Sequence, residues 1–192
     1  MTSSETYGRL IAVVGPSGVG KDSVMGGICA AAPDLHRVKR VITRAPELGG
    51  EDYQAVSVDE FDTMAANGAF AVHWGAHDLR YGIPTEIKQK VASGTNCLAN
   101  FSRKALSDAA AIFPHFLVLN ITATPDTLAK RLAARGRETD DQIAKRLAQA
   151  VKSLPDDLDV VHISNDGPLE ETVASACELL KSDLKLRSEA TL

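Results

Sequence analysis

An apolar run, RLIAVVG at residues 9–15, leads directly into GPSGVGKDS at 15–23. A stretch with helical spacing follows, with Val24, Ile28 and Ala31 on one face. No other feature of the chain constrains its fold as strongly. A short continuous apolar run ending in glycine reads as a strand buried on both faces. The turn after it carries Gly15, Gly20 and Lys21 in the spacing G-x-x-x-x-G-K. Such a turn aims backbone N–H groups at one point, and the helix behind it adds its positive end. Gly15, Pro16, Ser17, Gly18, Val19 and Gly20 are therefore expected to cradle a polyphosphate, with Lys21 reaching its terminal groups. A hydroxyl ordinarily follows the lysine; here Asp22 does, and then Ser23. A carboxylate is a hard oxygen ligand, so Asp22 or Ser23 is the expected contact for Mg2+. The plainer reading of Asp22 is an acid favoured by the dipole of a first helical turn.

The rest of the chain repeats the alternation. TNCLANF (95–101), HFLVLNI (115–121) and DVVHIS (159–164) read as core strands, and helices separate them. One helix begins with Thr124 as N-cap and Pro125 at its first position, and stops at Gly136. The next spaces Ile143, Leu147, Val151 and Leu154 along one face, and the last opens at Pro168. Strands alternating with helices imply an α/β fold with a parallel sheet covered on both faces. Residues 36–82 break that rhythm. RVKRVIT, YQAVSV, AFAVHWGA and LRYGI read as short strands around a helix near 59–67, with a turn at Gly49-Gly50. This is expected to be a small mixed lobe inserted into the main body.

Composition narrows the function classes. The chain has 192 residues, 44% hydrophobic and 24% charged, with a net charge of −4. That suits one globular domain and disfavours a non-specific nucleic-acid binder. No apolar run is long enough to span a bilayer, and the first residues lack the pattern of a signal peptide. Cys29, Cys97 and Cys177 form no C-x-x-C pair, so they are expected to be buried thiols in a reducing cytoplasm rather than zinc ligands.

A second constellation lies in KRLAARGRETDDQIAKRL, residues 130–147. Arg135 has Glu138 at i+3, and Arg137 has Asp140 and Asp141 at i+3 and i+4, so both fit ordinary surface pairs. Arg131 and Arg146 have no acid at those spacings. Those two read as anion ligands, because a guanidinium fork matches phosphate geometry.

The order GPSGVGK, ITRAP, EDYQAVSVDEFDTMAANGAF, YG and RLAARGRE…KRL resembles the guanylate-kinase-like branch of the nucleoside monophosphate kinases over roughly residues 8–182. Within that branch it looks most like the ribose 1,5-bisphosphate phosphokinases of phosphonate breakdown, with which the GKDS form is associated. The resemblance implies a P-loop NTPase fold, a three-layer α/β/α sandwich forming a single domain. Its core would span 1–35, 93–125 and 148–185, with an acceptor-binding lobe at 36–92 and an arginine-rich lid at 126–147. The lobe and the lid would close on substrate. It implies ATP and Mg2+ as cofactors and phosphorylated ribose as acceptor. Lys21, Arg131, Arg137 and Arg146 would act in catalysis, with Arg135 and Asn165 on the nucleotide. Arg44, Tyr53 and Tyr81 would grip an acceptor phosphate, and Arg40 and Arg103 are added candidates for a second one. His73, Trp74 and His77 would line the sugar pocket or pack the core. Oligomeric state is left open.

Departures from true guanylate kinases carry the choice of acceptor. Those enzymes hold the guanine edge with a glutamate in G-x-F-x-E and an aspartate in L-D-I-D. Here the positions are Val72 and Ser102, Asn100 replaces another acid, and Glu47 stands where T-T-R-x-P-R has its second arginine. Losing matched acceptors discriminates strongly against a base that presents N–H donors. A guanylate kinase with a divergent base pocket and a non-catalytic interaction module remain the alternatives.

Overall fold

In the computed structural model of the protein, the described residues are 7–45, 51–134, 136, 139–150 and 153–189. In chain order the elements are β1 (Leu10–Val14), α1 (Lys21–Ala31), β2 (His36–Arg37), β3 (Arg40–Ile42), β4 (Tyr53–Ala55), α2 (Val58–Ala66), β5 (Phe70–Ala76) and β6 (Leu79–Pro84). Then come α3 (Glu86–Ala92), β7 (Cys97–Asn100), a 3-10 turn (Arg103–Ala105), α4 (Leu106–Ile112), β8 (Phe116–Thr122), α5 (Pro125–Ala134), α6 (Asp140–Ala150), β9 (Val160–Ser164) and α7 (Leu169–Glu189).

Two sheets result. The larger is the parallel sheet expected from the alternating pattern, ordered β2-β7-β1-β8-β9. Its three inner strands are buried nearly throughout: every residue of β7 and β1 is buried, as is all of β8 up to Thr122, while the edge strands β2 and β9 are more open. Continuous burial is what an unbroken apolar run produces when helices cover both faces. The smaller sheet is ordered β4-β3-β6-β5. Its strand β5 alternates buried and open positions, which is the mark of a sheet with one face packed.

The chain divides into two compact units. One comprises Met1–Val13, Asp34–Val118 and Leu154–Asp159; the other comprises Val14–Pro33, Leu119–Ser153 and Val160–Leu192. In the first unit, α2 covers one face of the small sheet through Val41, Phe61 and Phe70, with Val56, Met64 and Ala65 around them. The helix begins at a capping box. The Ser57 hydroxyl accepts from the Glu60 N–H while the Glu60 carboxylate accepts from the Ser57 N–H. In the second unit, the strand–loop–helix junction leads from Val14 into α1, whose buried face is Val24, Met25 and Ile28.

The strand expected over 37–43 is two strands. His36 and Arg37 pair with β7 in the large sheet, and the Val38 N–H still donates to Leu98 O at 2.9 Å. Two residues on, Arg40–Ile42 pairs with β4 and β6 instead. One extended segment thus serves both sheets in turn, and its apolar pattern carries no mark of the change. Helix α3 escaped the sequence reading although Ile87 and Val91 stand at helical spacing and are both buried.

Among the described residues no helix is long and apolar enough to cross a membrane. The three cysteines are thiols not joined in disulfides, and Cys97 is fully buried. Burial pushes its thiol up to about 11, with Lys90 opposing the shift. The folded state therefore favours the neutral thiol. That contribution is complete below the ordinary thiol pKa of 9.0 and is lost as pH rises toward 11. At pH 8, iodoacetamide should label Cys29 and Cys177, which are partly exposed, well ahead of Cys97. Peptide mapping by mass spectrometry checks this; equal labelling of Cys97 would contradict it.

Candidate active site

The second unit carries the phosphate-loop candidates. Gly15 closes β1, and a Cβ there would stand 2.4 Å from Ile121 O, so only glycine lets the loop lie flush against β8. Gly20 precedes α1 at φ 92, in the left-handed region, and a Cβ on it would meet Asn165 Nδ2 at 2.8 Å. Lys21, the first residue of the helix, curls back over the loop. Its Nζ donates to Gly15 O at 2.9 Å and to Pro16 O at 3.1 Å. Asp22 and Ser23 follow in the first turn of α1, with Ser23 exposed.

Two of the predicted arginines come to this loop. Arg131, on α5, donates from Nη1 to Val19 O at 3.3 Å. Arg146, on α6, donates from Nη1 to the Ser17 hydroxyl. These are the two arginines that lacked acidic neighbours at helical spacing. Arg135 and Arg137 lie outside the described residues, as do Glu47, Gly49 and Gly50.

Helix α5 is anchored firmly at its start. The Thr127 N–H donates to the Thr124 hydroxyl at 3.3 Å, as the sequence predicts for an N-cap. Asp166 holds Thr124 in turn. Its Oδ1 accepts from the Thr124 N–H at 2.8 Å and from the Thr124 hydroxyl at 2.9 Å, and its Oδ2 accepts from the Ser164 hydroxyl at 2.7 Å. The Thr124 N–H foremost, then the neighbouring hydroxyls, holds the Asp166 carboxyl well below the usual carboxylate range. Asp166 was not foreseen; its place beside Asn165, in the turn before the last helix, was the only signal.

Asn165, expected near the nucleotide base, has a buried side chain, and both ends of its amide are used internally. Nδ2 donates to Val19 O at 2.7 Å, and Oδ1 accepts from the Thr172 hydroxyl at 3.0 Å.

The acceptor candidates lie in the first unit, and Arg40, Tyr53 and Tyr81 share the face of the small sheet opposite α2. Register explains why they gather. Arg40 pairs with Tyr53, Ile42 with Tyr81, and Tyr81 with Trp74, and residues directly opposed on neighbouring strands share a face. Trp74 stacks between Tyr81, at 5.6 Å between centroids, and Phe101, at 5.2 Å. Arg44 follows the end of β3 with its Cζ 5.6 Å from the Tyr53 ring centroid, and the Tyr53 hydroxyl donates to Ala45 O at 2.6 Å. Arg103 sits in the 3-10 turn, half-buried, and desolvation draws its pKa below the ordinary guanidinium value. His73 is exposed, and His77 forms, with Asp78, the two-residue turn between β5 and β6, both at positive φ.

Arg40, an added candidate for a second phosphate, is engaged within the protein: its Nε donates to Glu51 Oε1 at 2.7 Å and its Nη2 to Glu51 Oε2. Its guanidinium lies 4.9 Å from the Tyr81 centroid and 5.8 Å from that of Trp74. Asn100 donates to Glu51 Oε2 at 3.4 Å. This face therefore holds a carboxylate. Its charge is matched by Arg40, and the side chains are only 9% and 8% exposed.

The family model for guanylate kinase matches residues 7–183. The chain belongs to the guanylate kinase family. Among curated proteins, this member is 47% identical over 182 residues to "Ribose 1,5-bisphosphate phosphokinase PhnN" of Ruegeria sp. (strain TM1040), covering 94% of this chain and 96% of that one. It is 45% identical to the protein of the same name from Pantoea vagans, covering 90% and 97%. Among solved structures, the guanylate kinase of Anaplasma phagocytophilum superposes with a TM-score of 0.72 at 19% identity, covering 94% and 88%; this likeness shows the fold alone.

Proposed function

We propose that this guanylate kinase family member transfers the γ-phosphoryl group of ATP to ribose 1,5-bisphosphate, giving ADP and 5-phosphoribosyl 1-diphosphate. What carries the reading is identity of 41–47% across 90–94% of the chain to proteins bearing the name ribose 1,5-bisphosphate phosphokinase. The residues agree with it. An oxygen of the acceptor's 1-phosphate attacks the γ-phosphorus, and the bond to the β,γ-bridging oxygen breaks. That oxygen is anionic near neutral pH, so no general base is required. The protein's task is positioning and neutralising charge. Lys21, Arg131 and Arg146 would do this for ATP. Arg44, Tyr53, Tyr81 and Arg103 would hold the acceptor phosphates.

The loop fits a nucleotide polyphosphate: it leads from β1 into the first turn of α1, and Gly18 and Gly20 take left-handed φ of 85 and 92, with no side chains to shield the backbone N–H groups. Among the described residues no three His, Cys, Asp or Glu gather to hold a metal. A Mg2+ ion would thus take most of its ligands from phosphate and water, with Asp22 or Ser23 contributing from the protein. When bound it supplies charge neutralisation at the phosphates.

The test is product analysis by phosphorus NMR, with ATP, Mg2+ and a panel of acceptors: ribose 1,5-bisphosphate, ribose 5-phosphate and GMP. The expected result is a new diphosphate on carbon 1 of the bisphosphate, with GMP converted at least a hundredfold more slowly. Rapid GDP formation would overturn the acceptor assignment. Absence of turnover together with absence of ATP binding by calorimetry would make the chain an interaction module.

A further inference from the structure

Val19 O accepts two side-chain hydrogen bonds, from Asn165 Nδ2 at 2.7 Å and from Arg131 Nη1 at 3.3 Å. Asn165 is placed to make the stronger one. Its own N–H donates to Thr122 O at 2.8 Å, fixing its backbone to the end of β8. Thr172, buried in the first turn of α7, approaches Asn165 Oδ1 more closely than either of its two alternative acceptors, Ser164 O and Pro168 O. A carbonyl only accepts, so Val19 O also decides which end of the amide faces the loop.

The consequence follows from the geometry of the peptide unit. In a trans peptide the C=O of one residue and the N–H of the next point in opposite directions. Drawing Val19 O toward Asn165 turns the Gly20 N–H the other way. The same contact makes residue 20 a glycine, because a Cβ there would collide with Asn165 Nδ2. We propose that Asn165, backed by Thr172, is a positioning pair for the donor phosphates: it sets the Val19–Gly20 peptide so that the Gly20 N–H faces the bound anion, and it does not read the nucleotide base. The inference rests on the loop being the nucleotide's phosphate cradle, as proposed above.

The test separates the two. Calorimetry on the whole chain measures binding of Mg-ATP, Mg-GTP and inorganic tripolyphosphate, which has no base. Wild-type protein that bound neither ATP nor tripolyphosphate would sink the cradle itself. Given wild-type binding, Asn165→Ala should weaken tripolyphosphate and ATP alike, by roughly ten- to a hundredfold, and leave the ratio of ATP to GTP affinity unchanged. Asn165→Asp should weaken both further, because a carboxylate facing Val19 O repels it. Thr172→Val should lose about tenfold and Thr172→Ser should restore most of that. Melting curves check folding, and if Asn165→Ala does not fold, the Val and Ser variants at 172 carry the test. Unchanged tripolyphosphate affinity in the variants would overturn the proposal, as would a loss confined to ATP that alters the ATP-to-GTP ratio.

Discussion

Lys21→Ala should lower kcat by about a thousandfold while shifting the melting temperature by only a few degrees. Removing one preorganised donor from a site where charge develops costs on the order of a hundred- to a thousandfold, and Lys21 brings a full positive charge. The charge is preset. Two carbonyls of the loop, those of Gly15 and Pro16, hold the ammonium over the turn. Lys21→Arg should recover little, since a planar fork does not meet those carbonyls as a compact ammonium does. Single-turnover phosphoryl transfer, followed by rapid quench, isolates the chemical step. A kcat within tenfold of wild type would show that the lysine has no part in the reaction.

Breaking the Arg40–Glu51 pair should have the largest effect on stability. Both side chains are almost wholly buried and meet through two parallel bonds. Removing one partner leaves an uncompensated charge inside the protein, at a cost of about 3–5 kcal/mol. For a domain of this size, Arg40→Met or Glu51→Leu alone should lower the melting temperature by on the order of 10 °C. The double variant, with apolar groups in both places, should regain most of the loss. It also separates structure from recognition. If the pair only organises the Trp74–Tyr81 face, the double variant binds acceptor nearly as well as wild type. A KM for the bisphosphate raised more than tenfold in a stably folded double variant would instead place Arg40 or Glu51 against the substrate. Urea denaturation and initial rates decide both points.

The sequence revealed most where a signal was local. The strand, glycine turn and helix at residues 9–31 announce themselves by adjacency, and the Thr124–Pro125 helix start by its cap. Arg131 and Arg146 stood out because no acid lies a helical turn away, and both reach the phosphate loop. What stayed hidden depended on partners distant in the chain. Glu51 reads as one more acid beside a glycine turn; only the β3–β4 pairing brings it to Arg40. The Asn165 contact was hidden too, because nothing near Asn165 in the sequence points to Val19. The change of sheet between Val38 and Arg40 was equally silent, since both strands draw on the same kind of residue.

The Val19–Asn165 contact joins residues 146 positions apart. During synthesis the glycine turn emerges long before the asparagine that contacts it exists. A nascent chain still attached at its last helix therefore carries the motif without its finished shape. On the inference drawn above, a seat for polyphosphate is complete only after Asn165 and the helix that carries Thr172 have been made, so its formation depends on contacts of long sequence separation.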